Sequence, residues 1–109
     1  VRIAIFDWRI IVSQVERDFQ RNLVETIKSR FPGCVVLRND PRTNPQGIPD
    51  LTVLYKSKWC CLECKRSKTA SRRPNQDYYI SMLNAMSYAN FVYPENVEEV
   101  LNDMEHTFA

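Results

Sequence analysis

Two short apolar stretches dominate the middle of the chain: Leu51-Thr52-Val53-Leu54-Tyr55 and Trp59-Cys60-Cys61-Leu62, with Lys56-Ser57-Lys58 between them. That pattern predicts antiparallel strands over 47–55 and 59–65 joined by a tight turn. Upstream, Val15, Phe19, Leu23 and Ile27 recur every four residues, the spacing of one helical face. Ser13-Gln14-Val15-Glu16 suits the start of that helix and Pro32-Gly33 its end, so it is predicted over 13–31. Cys34 to Arg38 reads as a short apolar strand, and 39–49, with three prolines and a glycine, as a loop. Pro74 opens a second helix to about residue 89, with Gln76, Tyr79 or Ile80, Leu83 and Met86 along its apolar stripe. Phe91-Val92-Tyr93 can add a last strand. Pro94-Glu95-Asn96 then starts a final helix that packs Val97, Val100, Leu101, Met104 and Phe108.

The first dozen residues fit this scheme least well. Ile3, Ile5, Phe6 and Trp8 alternate imperfectly, and Ile10-Ile11-Val12 adds β-branched weight. Residues 1–12 are read as an edge strand or extended arm, covered by the same subunit or by a partner. Residues 13–109 form one α/β domain, a central mixed sheet flanked by helices. At 109 residues the chain has room for a single core.

Composition narrows the function classes. A net charge of +2 is only mildly basic, so nucleic-acid affinity requires local clustering. No apolar run has transmembrane length and no signal-peptide pattern is present, which predicts a soluble, intracellular, cytoplasmic protein without a membrane partner. Among the four cysteines, Cys61 and Cys64 have the spacing of a zinc pair, with Cys34 and His106 as further candidates. Residues three apart on a regular strand face opposite ways, so Cys60, Leu62 and Cys64 read instead as a buried apolar face. His106 reads as an exposed helix-end residue.

Chemistry concentrates on the hairpin. In an antiparallel pair, the start of one strand lies beside the end of the next, which makes Asp50 and Glu63 neighbours. Two adjacent carboxylates repel unless a cation sits between them, and Lys65 shares the face of Glu63. The pattern is that of a divalent-metal site with a lysine beside it. Glu16 falls inside the apolar stripe of its helix, where an acid needs a partner. It can face a metal-bound water or ion, or close a capping box with Ser13.

The set Pro49-Asp50 and Glu63-Cys64-Lys65 resembles the PD-(D/E)xK nuclease superfamily. Gly47-Ile48 and Arg73-Pro74-Asn75-Gln76, with Glu16 upstream, narrow the resemblance to its VRR-NUC branch, particularly small stand-alone phage versions, over nearly the whole chain from Ser13 onward. The resemblance implies a restriction-endonuclease-like core and an endodeoxyribonuclease dependent on Mg²⁺ or Mn²⁺, with no small-molecule cofactor. It implies Glu16, Asp50, Glu63, Lys65 and Gln76 as the catalytic set, with Glu16, Asp50, Glu63 and the backbone carbonyl of Cys64 toward the metal. Small phage members further imply a homodimer that resolves Holliday junctions. Flap- or nick-directed cleavage, restriction-type cleavage and a catalytically silent DNA-binding relative are the alternatives.

The segment from Arg66 to Arg73 carries Arg66, Lys68, Arg72 and Arg73 with no acid before Asp77. Beside the Glu-x-Lys motif, it reads as a phosphate-contacting stretch. Arg38 and Arg42 stand at the start of the 39–49 loop, where each can meet phosphate or remain solvated.

Overall fold

The computed structural model describes residues 8–109. The hairpin forms with tighter bounds than the apolar pattern suggests: β2 spans Leu51–Tyr55 and β3 spans Lys58–Cys64. Tyr55 pairs with Lys58 across a two-residue turn, in which Lys56 takes a φ of 58°, a conformation usually left to glycine or asparagine. Strand β1, Val35–Arg38, lies antiparallel to β2, and β4, Tyr88–Val92, lies parallel to β3. The spatial order is β1-β2-β3-β4, a mixed sheet as predicted. Parallel pairing requires a crossover, supplied by α2, Pro74–Met86.

Two apolar layers sandwich the sheet. Alternation along β3 sends Cys60, Leu62 and Cys64 to a larger core with Leu23, Val24 and Ile27 of α1 (Trp8–Arg30) and with Val100, Leu101, Met104 and Phe108 of α3 (Val97–Phe108). Cys61 points the other way, to Ile80 of α2 and to Ala89 and Phe91 of β4. Cys60, Leu62 and Cys64 therefore form the buried face expected of them. The last helix keeps its predicted stripe, preceded by a single 3₁₀ turn at Pro94–Asn96. His106 is exposed near its end. Met86, expected on the buried stripe of α2, is instead 66% exposed because α2 ends there. Among the described residues, no helix is long and apolar enough to cross a membrane.

The N-terminal reading needs correction. The arm or edge strand predicted over 1–12 lies partly outside the described residues, and its described part, Trp8 to Val12, is helical and continuous with α1. No glycine or proline separates Trp8 from Ser13, and β-branched residues cost a helix only a few tenths of a kcal/mol each (~0.5). Ser13 is therefore an interior residue, whose hydroxyl accepts a hydrogen bond from Arg17, and no capping box occupies Glu16.

The loop between β1 and β2 is fixed at Gly47. Its φ is 94°, and an added Cβ would come within 2.5 Å of Asn75 Cβ and 2.6 Å of the Asn75 carbonyl carbon. The loop thus rests directly on the first turn of α2, a closeness that only glycine permits. Gly47→Ala is expected to lower stability by about 1–3 kcal/mol through strain and displacement of that turn, measured as a shift in the urea unfolding midpoint.

Candidate active site

Asp50 sits immediately before β2, one step beyond the last paired residues, Leu51 and Leu62, and so beside Glu63. The fully buried Pro49 anchors its backbone. Asn39 adds a clamp: its side-chain amide donates to the Pro49 carbonyl at 2.9 Å and to Thr52 Oγ1 at 3.0 Å, while its own N–H donates to the Asp50 carbonyl at 2.8 Å. The Asp50 carboxylate in turn accepts the Cys64 N–H at 2.9 Å, tying the two strands together at the level of the acids. Such a bond to a carboxylate is stronger than a neutral one.

Glu63 and Lys65 are the buried charged residues, at 5% and 8% exposure. Burial, then the hydrogen bond and charge of Asp50, push the Glu63 carboxyl up to about 10, with Glu16 adding in the same direction and Lys65 opposing. Burial against the half-buried Asp50 thus favours the protonated form of Glu63, since the charge of one acid opposes ionisation of its neighbour. Lys65 Nζ donates to Gln76 Oε1 at 2.9 Å, and the same oxygen accepts the Arg73 N–H at 3.0 Å. Gln76 thus closes the first turn of α2, where the side chain of Arg73 offers no acceptor, and also orients the lysine.

Glu16, Asp50, Glu63, Cys64, Lys65 and Gln76 line one cavity of about 440 Å³. The structure thus brings together every residue expected at the catalytic centre. Of the predicted phosphate contacts, Arg73 lines the same cavity and Arg38 a neighbouring groove. Arg66 and Lys68 stay on the loop outside it, and the Arg72 guanidinium rests over the Phe91 ring at 3.9 Å. Arg42 is taken up by Asp40, whose carboxylate accepts Arg42 Nη2–H at 2.9 Å and is held below the usual range by that bond.

Among the described residues, no group of three or more histidine, cysteine, aspartate or glutamate side chains is close enough to hold a metal ion ready-made. The acids meet as a pair, with Glu16 on the α1 wall of the same cavity. The carboxylate oxygens of Asp50 and Glu63 are hard donors of the kind that Mg²⁺ and Mn²⁺ take. It does not suit zinc: burial, then the charge of Cys61, raises the Cys60 thiol to about 12, and burial with the neighbouring acids raises that of Cys64 further, against the thiolate zinc requires.

Sequence reasoning missed several members of the site. Ser13, Arg17 and Gln20 line the cavity with Glu16, all on one face of α1 at helical spacing, so the placement of Glu16 already implied them. Asn39 and Ser71 gave no comparable signal.

No family model and no curated protein sequence matches the chain. A solved structure described as a VRR_NUC domain is similar in shape, with a TM-score of 0.65 and 20% sequence identity over 81% of this chain and 95% of that one. Helices on both faces of a mixed four-stranded sheet give this chain the fold of a VRR_NUC domain.

Proposed function

We propose that the protein is a nuclease that hydrolyses DNA phosphodiester bonds with a divalent cation, working as a homodimer on branched DNA such as a four-way junction. The observation that carries this reading is the single cavity in which two carboxyl groups, one deeply buried, meet a lysine oriented by Gln76. The likeness in fold to a VRR_NUC domain supports the nuclease class.

Asp50 and Glu63, with the carbonyl of Cys64, would hold Mg²⁺ or Mn²⁺, and Glu16 a second ion or its water. Bound there, the cation supplies charge neutralisation at the scissile phosphate and lowers the pKa of an attacking water. The protein's own part begins with Glu63, whose proton would pass to solvent as its carboxylate takes up the cation beside Asp50. Lys65, held by Gln76, presents its ammonium to the phosphoryl oxygens. Negative charge grows there as the water oxygen bonds to phosphorus and the ester P–O bond breaks. Arg73, on the cavity wall, holds the phosphate in place, and Arg66, Lys68 and the exposed edge of Arg72 continue that contact along the loop.

A catalytically silent DNA-binding relative is the second reading. The convergence of Asp50, Glu63 and Lys65 in one cavity weighs against it, since DNA binding alone gains nothing from a buried acid pair. Flap- or nick-directed and restriction-type cleavage share the same chemistry. Cleavage compared on a four-way junction, a flap, a single strand and a plain duplex separates them. The dimer follows from symmetry: a junction has two equivalent scission points, and a two-fold pair of chains offers two matching cavities. Exposed Ile10, Ile11 and Val15 near the start of α1, at 64%, 40% and 47%, supply apolar surface for such a contact.

Asp50→Asn, Glu63→Gln and Lys65→Ala are each expected to lower Mg²⁺-dependent cleavage by roughly 10²-fold or more with an unchanged circular-dichroism spectrum. Undiminished cleavage by any of them would overturn the assignment. Without metal, the raised Glu63 pKa means that the folded state holds a proton the unfolded chain has lost. Stability is then full below the ordinary carboxylate range and declines as pH rises toward about 10. Glu63→Gln should flatten that decline, seen in urea midpoints measured in a chelator at several pH values. For the dimer, Ile11→Glu combined with Val15→Glu should shift the sedimenting species to a monomer and abolish paired cuts. A dimer that persists in that variant would place the interface elsewhere.

A further inference from the structure

The catalytic cavity does not close at its α1 wall. Arg17 and Gln20, which form that wall, also line a second groove of about 280 Å³ with Arg21 and Arg38. Arg73 and Gln76, on another wall, are likewise shared with a third hollow that runs past Gly47 and Asn75. The three depressions adjoin in series through these shared walls, with the acid pair in the middle one.

Charge along this series is unevenly placed. The middle carries Asp50, Glu63 and Glu16, which repel a phosphate until they are neutralised. Arg73 stands on one flank, whereas the α1 groove brings three guanidinium groups to the other. Asp18 offsets one of them, pairing with Arg21 at 3.1 Å. Arg17 donates only to neutral oxygens, Ser13 Oγ and Gln14 Oε1, and Arg38 is exposed at the end of β1. The groove therefore keeps net positive charge next to a site that must hold an anion against its own acids. Helix geometry fixes the arrangement, because Glu16, Arg17, Gln20 and Arg21 lie within about one turn of each other.

We propose that this groove is a phosphate subsite. On the nuclease reading, it holds the backbone of the cleaved strand on one side of the scissile bond, with Arg17 and Arg38 as its charged contacts and Gln20 as a neutral donor between the groove and the cavity. A strand gripped on both flanks presses its central phosphate onto the acid pair, which neither flank achieves alone.

The test uses the full chain in a chelating buffer, where binding is read without cleavage, and fluorescent DNA oligonucleotides of increasing length. Arg17→Ala and Arg38→Ala should each reduce the magnitude of the slope of log K against log salt by about 0.7–0.9, and the double variant by about twice that. Arg17→Lys should keep the slope, which distinguishes a phosphate contact from a packing role. Extending the oligonucleotide by a few nucleotides on one side of the scissile position should tighten binding to the unaltered protein and not to the double variant. An unchanged slope and unchanged length dependence in a correctly folded double variant that still cleaves DNA would overturn the subsite and leave the nuclease reading standing. Failure of the unaltered protein to bind or cleave any of these oligonucleotides, with metal restored for cleavage, would overturn both.

Discussion

The contact between Asp50 and Glu63 sets the terms for everything around it. Burying one acid against another is unfavourable in any folded chain, and here burial and the adjoining Asp50 raise the Glu63 pKa while the surrounding backbone fixes both groups. The Cys64 N–H fixes the Asp50 carboxylate, and strand pairing fixes Glu63 opposite. The stability sacrificed at this point is recovered in the two apolar layers, where Leu51, Val53, Cys60 and Leu62 are wholly enclosed.

Three separate parts of the chain hold the pair in place, and none of them is part of the hairpin. Asn39, at the end of β1, grips the backbone on both sides of Asp50. Gly47 docks the intervening loop on Asn75, at the start of α2. Gln76, one residue further on, turns Lys65 toward the cavity. Local pairing brings the acids together, while tertiary contacts decide where the lysine meets them.

The sequence was most readable where a single periodicity acted alone. The hairpin, the alternation of Cys60, Cys61, Leu62 and Cys64, and the stripe of α3 all follow from period-two or period-four spacing, whereas the stripe of α1 was legible only in part, because Val15, expected on its buried face, is exposed. The start of α1 was not readable in the same way. Ile10-Ile11-Val12 has high strand propensity, but among the described residues no strand lies beside it to pair with, and the helix runs through it. Asn39 was invisible for another reason: its role depends on two carbonyls and a hydroxyl that come together only after β1 and β2 pair. The pairing of Arg42 with Asp40, two residues away, was likewise not legible, because it depends on the local turn of the loop.

The parallel pairing of β3 with β4 has a consequence for the order in which the molecule assembles. The β2–β3 hairpin closes a short loop and can form early, whereas β4 can join β3 only after α2 has been made and folded back across the sheet. The backbone N–H of Lys65 is bonded to Val92 at the end of β4, and its ammonium to the first turn of α2. The acids depend on local pairing alone, whereas the lysine is seated by contacts that exist only once the crossover through α2 is complete, so its position registers the integrity of the whole sheet.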